Sequence, residues 1–292
     1  MNQSINKTAI ASVPDGYKGQ FIQVAGQRVR YYQTGSGPDI LFIHGSPGSI
    51  EEWDPVMEPL SLKYRLIFFD RPGQGFSSGR NLTHSVYENA GFVISLIDEL
   101  GLSNPLVVGE SFGGCIAMGL AVKNPANVRA IVAACPVTNS HDWNPEKLFY
   151  LLRTPIIGTM LIWLFIKSGA TDMLRKGILD AAHPNEKDLS EEYIKSEISM
   201  WSQVKVLKSF SHEIITPLKD MGEIASKYQA VRKKIFLIHG EDDTLVPVSH
   251  SIYAHKNIPG SKLSLLKNTG HMIVQVRTDE MIKVIEEAMV AV

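Results

Sequence analysis

A serine flanked by glycines is the segment of the chain best suited to chemistry. An apolar run at 106–108 predicts a strand, which leads directly into Gly-Glu-Ser-Phe-Gly at 109–113 and then into an apolar helical stretch. A sharp turn between a strand and a helix exposes the serine hydroxyl and leaves no room for side chains at the glycines. The pattern predicts Ser111 as a nucleophile, with the Phe112 amide as a donor to the oxyanion. The same motif also occurs in ordinary turns, so the hypothesis needs further residues.

A serine hydroxyl is a weak nucleophile at neutral pH, so it requires a base and a carboxylate that orients the base. His271 follows the last predicted strand, and Asp243 follows the seventh. We predict these two residues as the base and the acid. Asp242, next in sequence, and Asp142, after the sixth strand, are alternative acids.

The loop after the third predicted strand could supply a second oxyanion donor. It reads His-Gly-Ser-Pro-Gly at 44–48. Pro47 has no amide hydrogen, so the backbone amide of Ser46 is the predicted donor. We interpret His44 as a structural histidine that holds this loop.

Eight predicted strands alternate with helices through most of the chain. They cover 20–25, 28–34, 39–44, 65–70, 105–109, 129–134, 234–239 and 262–267. Several are apolar throughout, which is typical of central parallel strands covered on both faces, whereas the first two suit an antiparallel edge hairpin. Ser49 with Glu52 and Ser85 with Glu88 fit capping boxes at helix starts.

The segment 138–225 interrupts this alternation with helical stretches only. We expect an α/β fold with an eight-stranded, mostly parallel sheet flanked by helices, and a helical cap (138–225) inserted after the sixth strand. The catalytic core is then 1–137 and 226–292. Apolar residues at helical spacings in this cap, together with the residue after His271, are candidates for the substrate pocket: Met160, Trp163, Leu164 and Met272.

Composition restricts the partners. A formal net charge of −1 gives no field for polyanions, so nucleic acid is not expected as a partner. The apolar run 155–166 is shorter than the roughly 20 residues that span a bilayer, and the N-terminal residues show no secretory signal. We expect a cytoplasmic protein without a transmembrane span, and we leave a homo-oligomer open.

No cofactor is expected, and neither is a metal. His239, Asp242, Asp243 and His250 could be imagined as metal ligands, but their spacing matches no common zinc pattern.

Together these signatures resemble the α/β-hydrolase fold superfamily over nearly the whole chain. The four that agree in order are the loop at 44–48, Asp-Arg-Pro-Gly-Gln-Gly-Phe-Ser at 70–77, the serine segment, and Gly-Glu-Asp-Asp at 240–243 with the Gly-His pair at 270–271. The resemblance implies that Asp243 is the acid, and that the Asp70 motif is a tight structural turn supporting the site.

The expected function is hydrolysis of a carboxylic ester of a small apolar substrate through an acyl-enzyme on Ser111. Carbon-carbon bond hydrolases share this triad but usually have Trp after the histidine, where Met272 stands here. Cofactor-free perhydrolases remain an alternative, and so do small-ligand receptors on the same fold. Epoxide hydrolases and dehalogenases are disfavoured, because they carry an aspartate at the position of Ser111.

Overall fold

The computed structural model describes residues 12–79, 84–141 and 143–291. Within them, eight strands form one sheet in the order β1-β2-β4-β3-β5-β6-β7-β8. The strands are β1 Gln20–Val24, β2 Gln27–Thr34, β3 Asp39–Ile43, β4 Arg65–Phe69, β5 Leu106–Glu110, β6 Ala130–Ala134, β7 Lys234–Gly240 and β8 Lys262–Leu266.

The sheet confirms the predicted fold class. Strand β2 pairs antiparallel with β1 and with β4, and the remaining neighbours are parallel. Every residue of β3, β5 and β6 is buried, as expected for strands covered on both faces. Predicted and observed strand limits agree to within one residue at each end.

The helices follow in chain order. They are α1 Asp54–Ser61, α2 Val86–Glu99, α3 Phe112–Lys123, α4 Lys147–Leu152, α5 Ile157–Lys167, α6 Thr171–Ala182, α7 Glu191–Trp201, α8 Val204–Glu213, α9 Pro217–Ala225, α10 Ser249–Asn257, α11 Ile273–Val276 and α12 Thr278–Val290. Two separate clusters of buried apolar side chains cover the two faces of the sheet, one centred on α2 and α3 and the other on α1 and α12.

Both predicted capping boxes are wrong, although a short 3₁₀ helix follows Ser49 and helix α2 follows Ser85. The Ser49 hydroxyl donates to the Glu51 carboxylate at 2.7 Å, and Glu52 turns away to the Gly45 amide. The Ser85 hydroxyl donates to Asp220 at 2.8 Å. Partners distant in sequence have replaced the local contacts that the pattern indicates.

Helices α4–α9 lie between β6 and β7, and we call them the inserted helices. The stretch 191–213 forms two helices, α7 and α8, separated at Ser202 and Gln203. Among the described residues no single helix is long and apolar enough to cross a membrane; α5 and α6 meet that length and composition only as a pair bent by 97°.

Candidate active site

Ser111 lies at a strained turn between β5 and α3. Its φ of 52° and ψ of −118° are a combination that non-glycine residues rarely adopt. A side chain at Gly109 would overlap the Gly113 carbonyl, and one at Gly113 would overlap the Ile43 carbonyl. The glycines therefore allow the turn to pack against β3, and the turn leaves Ser111 at the amino end of α3.

The loop after β3 lies directly against the serine. A Cβ at Gly45 would come within 3.3 Å of the Ser111 Cβ. The Gly45 amide donates to the Glu52 carboxyl at 2.9 Å, so it is already engaged. The next amide along the loop, that of Ser46, is therefore the candidate oxyanion donor. Ser46 lies in this loop and Phe112 is the first residue of α3, and their role as oxyanion donors stays a prediction.

His44 holds the loop from beneath and is fully buried. Its Nδ1 lies 2.8 Å from the Gly45 carbonyl oxygen, and its Nε2 accepts a hydrogen bond from the Arg71 amide at 2.9 Å. Burial and the Arg71 charge hold the pKa of His44 well below its usual range, so the ring is neutral and structural.

The structure pairs Asp243 with His271. The His271 Nδ1 lies 2.7 Å from Asp243 Oδ2, while Oδ1 accepts hydrogen bonds from the Leu245 and Val246 amides at 2.9 Å each. Burial alone would raise the pKa of Asp243, but the charge of His271 and hydrogen bonds from His239 and His271 outweigh it and lower the pKa far below its usual range. Burial lowers the pKa of His271, yet Asp243 reverses this and raises it. This pair can orient an imidazole and stabilise its charged form.

Two further side chains surround the Asp243 carboxylate. His239 Nε2 lies 3.2 Å from Oδ2, and the buried Cys135 thiol lies close to the same carboxylate. The possible ligand atoms of all three lie within 4.8 Å of one another. Both nitrogens of the His239 ring make hydrogen bonds, to Ser251 Oγ and to the Val246 carbonyl, which fix the ring beside Asp243. We interpret His239 as a residue that stabilises the Asp243 carboxylate.

The other residues considered as metal ligands are differently placed. His250, on α10, has its Nδ1 3.3 Å from the Thr138 amide nitrogen. Asp142, the alternative acid, lies outside the described residues.

The inserted helices hold the loop that carries His271. The His271 amide donates to the Ala181 carbonyl at 3.0 Å, and the Gly270 amide donates to Asn185 Oδ1 at 3.3 Å. A side chain at Gly270 would overlap the His183 carbonyl. The end of α6 and the histidine loop are therefore packed backbone to backbone.

A buried ion pair links another inserted helix to the loop after β3. Arg71 Nη1 and Nη2 donate to the two oxygens of Glu213, on α8, at 2.8 and 2.9 Å. The same guanidinium donates to the carbonyls of His44 and Gly45, at 3.1 and 2.7 Å. The Ser46 hydroxyl also donates to Glu213. Burial favours a neutral Glu213, but the charge of Arg71 dominates and holds its pKa far below the usual range.

A contrasting group of carboxyls lies behind the serine. Glu110 immediately precedes Ser111, is buried, and shares a hydrogen bond with the carboxyl of Glu52. Burial raises the pKa of Glu110 to about 7, and burial with the neighbouring Glu110 raises that of Glu52 well above its usual range. Glu197, on α7, has its pKa raised to about 8 by burial and the charge of Glu51.

A cavity of about 570 Å³ opens between the core and the inserted helices. Its lining includes acidic side chains from both parts, namely Glu51, Asp54, Asp188 and Glu192. Gln275, on α11, lines it as well and donates to the Glu52 carbonyl at 2.9 Å. An acidic lining does not match an apolar ester, so we do not assign the substrate to this cavity.

The predicted pocket residues are dispersed. Met160, Trp163 and Leu164 of α5 are each about half exposed, at 52%, 48% and 47%, whereas Ile162 of the same helix is buried. Met272 is buried and packs with apolar residues of α6 and α7, including Ile178. The role of these four residues in a substrate pocket stays a prediction.

The side chains that support the site from behind are not evident from sequence. The spacing of Glu52 from Ser49 suggests a helix cap, Glu110 stands within the serine motif, and no pattern marks Glu213. Their partners are distant in sequence, as the 142 positions between Arg71 and Glu213 illustrate. The available signal was a charged side chain, Glu110, within an otherwise apolar strand and turn.

Comparisons with known proteins agree with this architecture. The family described as the alpha/beta hydrolase fold matches residues 38–159. The dihydrolipoyllysine-residue acetyltransferase component of the acetoin cleaving system of Cupriavidus necator is 40% identical over 87% of the chain, and the chain spans 64% of that relative's length. A pimeloyl-[acyl-carrier protein] methyl ester esterase of Nitrosomonas europaea is 26% identical, with 82% of the chain and 90% of the esterase covered.

Solved structures share the fold as well. A meta-cleavage product hydrolase of Pseudomonas fluorescens superposes with a TM-score of 0.76 at 22% identity, covering 93% of this chain and 97% of that one. The strand order, the turn at Ser111 and these likenesses show that the chain has the α/β-hydrolase fold.

Proposed function

We propose that this protein is a serine hydrolase that cleaves a carboxylic ester of a small apolar substrate through an acyl-enzyme on Ser111. The observation that carries the proposal is the strained placement of Ser111 beside the 44–48 loop, combined with the 2.7 Å contact between His271 and Asp243. The methyl ester esterase relative supports an ester as the substrate class.

The mechanism consists of two acyl transfers. His271 accepts the proton of the Ser111 hydroxyl as its oxygen attacks the ester carbonyl, and the amides of Ser46 and Phe112 stabilise the oxyanion. His271 then protonates the leaving alcohol, and the acyl group stays on Ser111. Water attacks the acyl-enzyme as it gives a proton to His271, and His271 returns that proton to Ser111 Oγ when the bond to the acyl group breaks and the acid is released. Asp243 fixes the imidazole tautomer throughout and stabilises its positive charge.

Labelling by a fluorophosphonate probe is the direct test. Wild-type protein should be labelled at Ser111, and the Ser111→Ala variant should lose both labelling and turnover of p-nitrophenyl butyrate. Ser226→Ala, at an exposed serine after α9, is the matched control and should keep both. An unlabelled wild-type protein would favour a ligand-binding role, and equal turnover by Ser111→Ala would exclude this site.

Carbon-carbon bond hydrolysis is the second candidate, supported by the likeness to the meta-cleavage product hydrolase. A panel of p-nitrophenyl esters, lactones and a meta-cleavage dienoate separates the two candidates. We expect the highest kcat/KM for an ester. Preference for the dienoate, lost in Ser111→Ala, would establish the second candidate instead.

A further inference from the structure

Helices α4 and α5 present a continuous set of large apolar side chains to solvent. We call this set the apolar face; its members are between 42% and 81% exposed. They are Leu148, Leu151, Ile156, Ile157, Met160, Trp163 and Leu164. Along α5 the exposed positions recur at helical spacing, while Gly158 and Ile162 are buried on the opposite side. Apolar patches of this kind mark interaction surfaces in folded proteins.

The charged residues within the segment that carries the apolar face are basic. Between Glu146 and Asp172, which bound the segment, they are Lys147, Arg153 and Lys167, in a chain whose net charge is −1. All three are exposed. The Arg153 guanidinium lies 5.5 Å from the Tyr150 ring centroid, and the Lys167 ammonium lies 6.0 Å from that of Trp163. Arg153 and Lys167 therefore each lie over an aromatic ring, that of Tyr150 next to the apolar face and that of Trp163 within it.

This combination selects the occupant. An exposed apolar helix face with a tryptophan and flanking cations is the arrangement of helices that lie in a lipid headgroup region. A second copy of the chain fits less well, since a two-fold interface would bring the same three positive charges against themselves. A bilayer with anionic headgroups satisfies both the apolar side chains and the charges.

We propose that the apolar face of α4 and α5 binds the surface of an anionic phospholipid bilayer. Helix α5 has 11 residues, which suits a helix lying in the interface. It packs against α8, the helix whose Glu213 reaches the loop beside Ser111. Docking would therefore bring the bilayer to the inserted helices on the side from which they contact the site.

Sedimentation with vesicles of stated composition tests the proposal. We expect binding to vesicles of phosphatidylcholine with 30% phosphatidylglycerol, little binding to pure phosphatidylcholine, and weakening as salt is raised. The triple variant Ile157→Ser, Met160→Ser, Leu164→Ser should abolish binding. Each of Arg153→Glu and Lys167→Glu should weaken it about fivefold or more.

Matched controls lie outside the apolar face. Leu62→Ser, at a side chain 82% exposed, and Lys283→Glu, at an exposed lysine of α12, should bind as the wild type does. Circular dichroism verifies that every variant is folded. Turnover of a water-soluble ester should be unchanged in Arg153→Glu and Lys167→Glu, which lie outside the predicted substrate pocket, and this separates the proposal from the proposed function.

The Trp163 side chain gives a second readout. Its fluorescence should shift to the blue with anionic vesicles, and Trp163→Phe should remove the shift. Equal binding to neutral and anionic vesicles, or no binding to either, would overturn the proposal. So would dimerisation in light scattering that the triple variant abolishes while vesicles leave the protein in solution.

Discussion

The two sides of Ser111 hold buried carboxyl groups in opposite charge states. On one side Asp243 is ionised, because His271, His239 and two backbone amides all direct positive charge or donors at it. On the other side Glu110 and Glu52 are buried beside each other, and at Glu110 burial outweighs the charge of His271, so the pKa of both carboxyls is raised. Burial disfavours the charged form in both places, and the partners decide the outcome.

The difference separates two uses of a buried acid. The carboxylate of Asp243 is charged and contacts the imidazole of His271, while the carboxyls of Glu110 and Glu52 keep their protons to a higher pH than exposed glutamates do. Glu213 resembles Asp243 in this respect, because the Arg71 guanidinium is a positively charged partner for its carboxylate. Replacing the carboxyl by a neutral amide should therefore have a large effect on activity or stability at Asp243 and Glu213, and a small effect at Glu110 and Glu52.

The largest effect is expected for Asp243→Asn. The amide cannot stabilise the imidazolium and favours the wrong tautomer of His271, so kcat should fall by about 10⁴-fold. Ester turnover of the folded variant measures this, with Asp242→Asn at the exposed neighbouring position as the control. A loss of less than tenfold would assign the acid role to another residue.

The pH profile sharpens the same prediction. His271 must be neutral to accept a proton, and Asp243 raises its pKa, so activity should rise with pH through a midpoint above the usual histidine value. Removing the carboxylate should move the residual acid limb of kcat/KM to lower pH. An unmoved limb would show that another group controls it.

A smaller effect is expected for Glu213→Gln. The change leaves the Arg71 guanidinium buried without its charged partner, which costs about 3 kcal/mol in the free energy of unfolding. The loop beside Ser111 loses its support, so kcat should fall by about tenfold to a hundredfold. Urea denaturation and ester turnover give the two measurements.

Glu223→Gln, which breaks an exposed pair with Lys227, is the control and should leave the free energy of unfolding nearly unchanged. The double variant Arg71→Met, Glu213→Leu should recover much of the lost stability but not the lost activity. Full activity in that double variant would remove the positioning role of the ion pair.

The smallest effect is expected for Glu110→Gln. The folded state holds the Glu110 proton more tightly than the unfolded state, so wild-type stability should decline as pH rises from about 4.5 to about 7. Glutamine mimics the neutral carboxyl and cannot ionise. Relative to wild type, the variant should therefore gain roughly 1 to 3 kcal/mol between pH 5 and pH 8.

Denaturation in urea at the two pH values measures the gain, and Glu280→Gln at an exposed position is the control. A variant that loses stability equally at both pH values would show that Glu110 is needed as a carboxylate. The comparison between the two sides of Ser111 would then fail.

The sequence was sufficient for the sheet and the order of the site loops, because both are local in the chain. Continuous apolar runs predicted β3, β5 and β6, and the glycines at 109 and 113 predicted the turn. The contacts that support the site from behind could not be predicted from the sequence, because they join residues that are distant in the chain. Glu52 looked like a helix cap from its spacing to Ser49, but a distant amide, that of Gly45, competes for its carboxyl and wins.

The inserted helices show the same limit. Hydrophobicity predicted α5 as a helix, but periodicity alone did not indicate which side would be covered. The packing of α5 on α4 and α8 leaves Trp163 and Met160 in solvent, which no local pattern specifies.

The close packing of Gly270 on the end of α6 has a consequence for protein engineering. The His183 carbonyl occupies the space that a side chain at Gly270 would need. The segment 138–225 therefore cannot be exchanged freely for that of another protein. A chimera that imports this segment from a relative must reproduce the backbone path of Ala181 and His183, or the graft will displace His271, the proposed general base. Diversification of substrate range by segment exchange should accordingly succeed at α4 and α5 and fail at the end of α6.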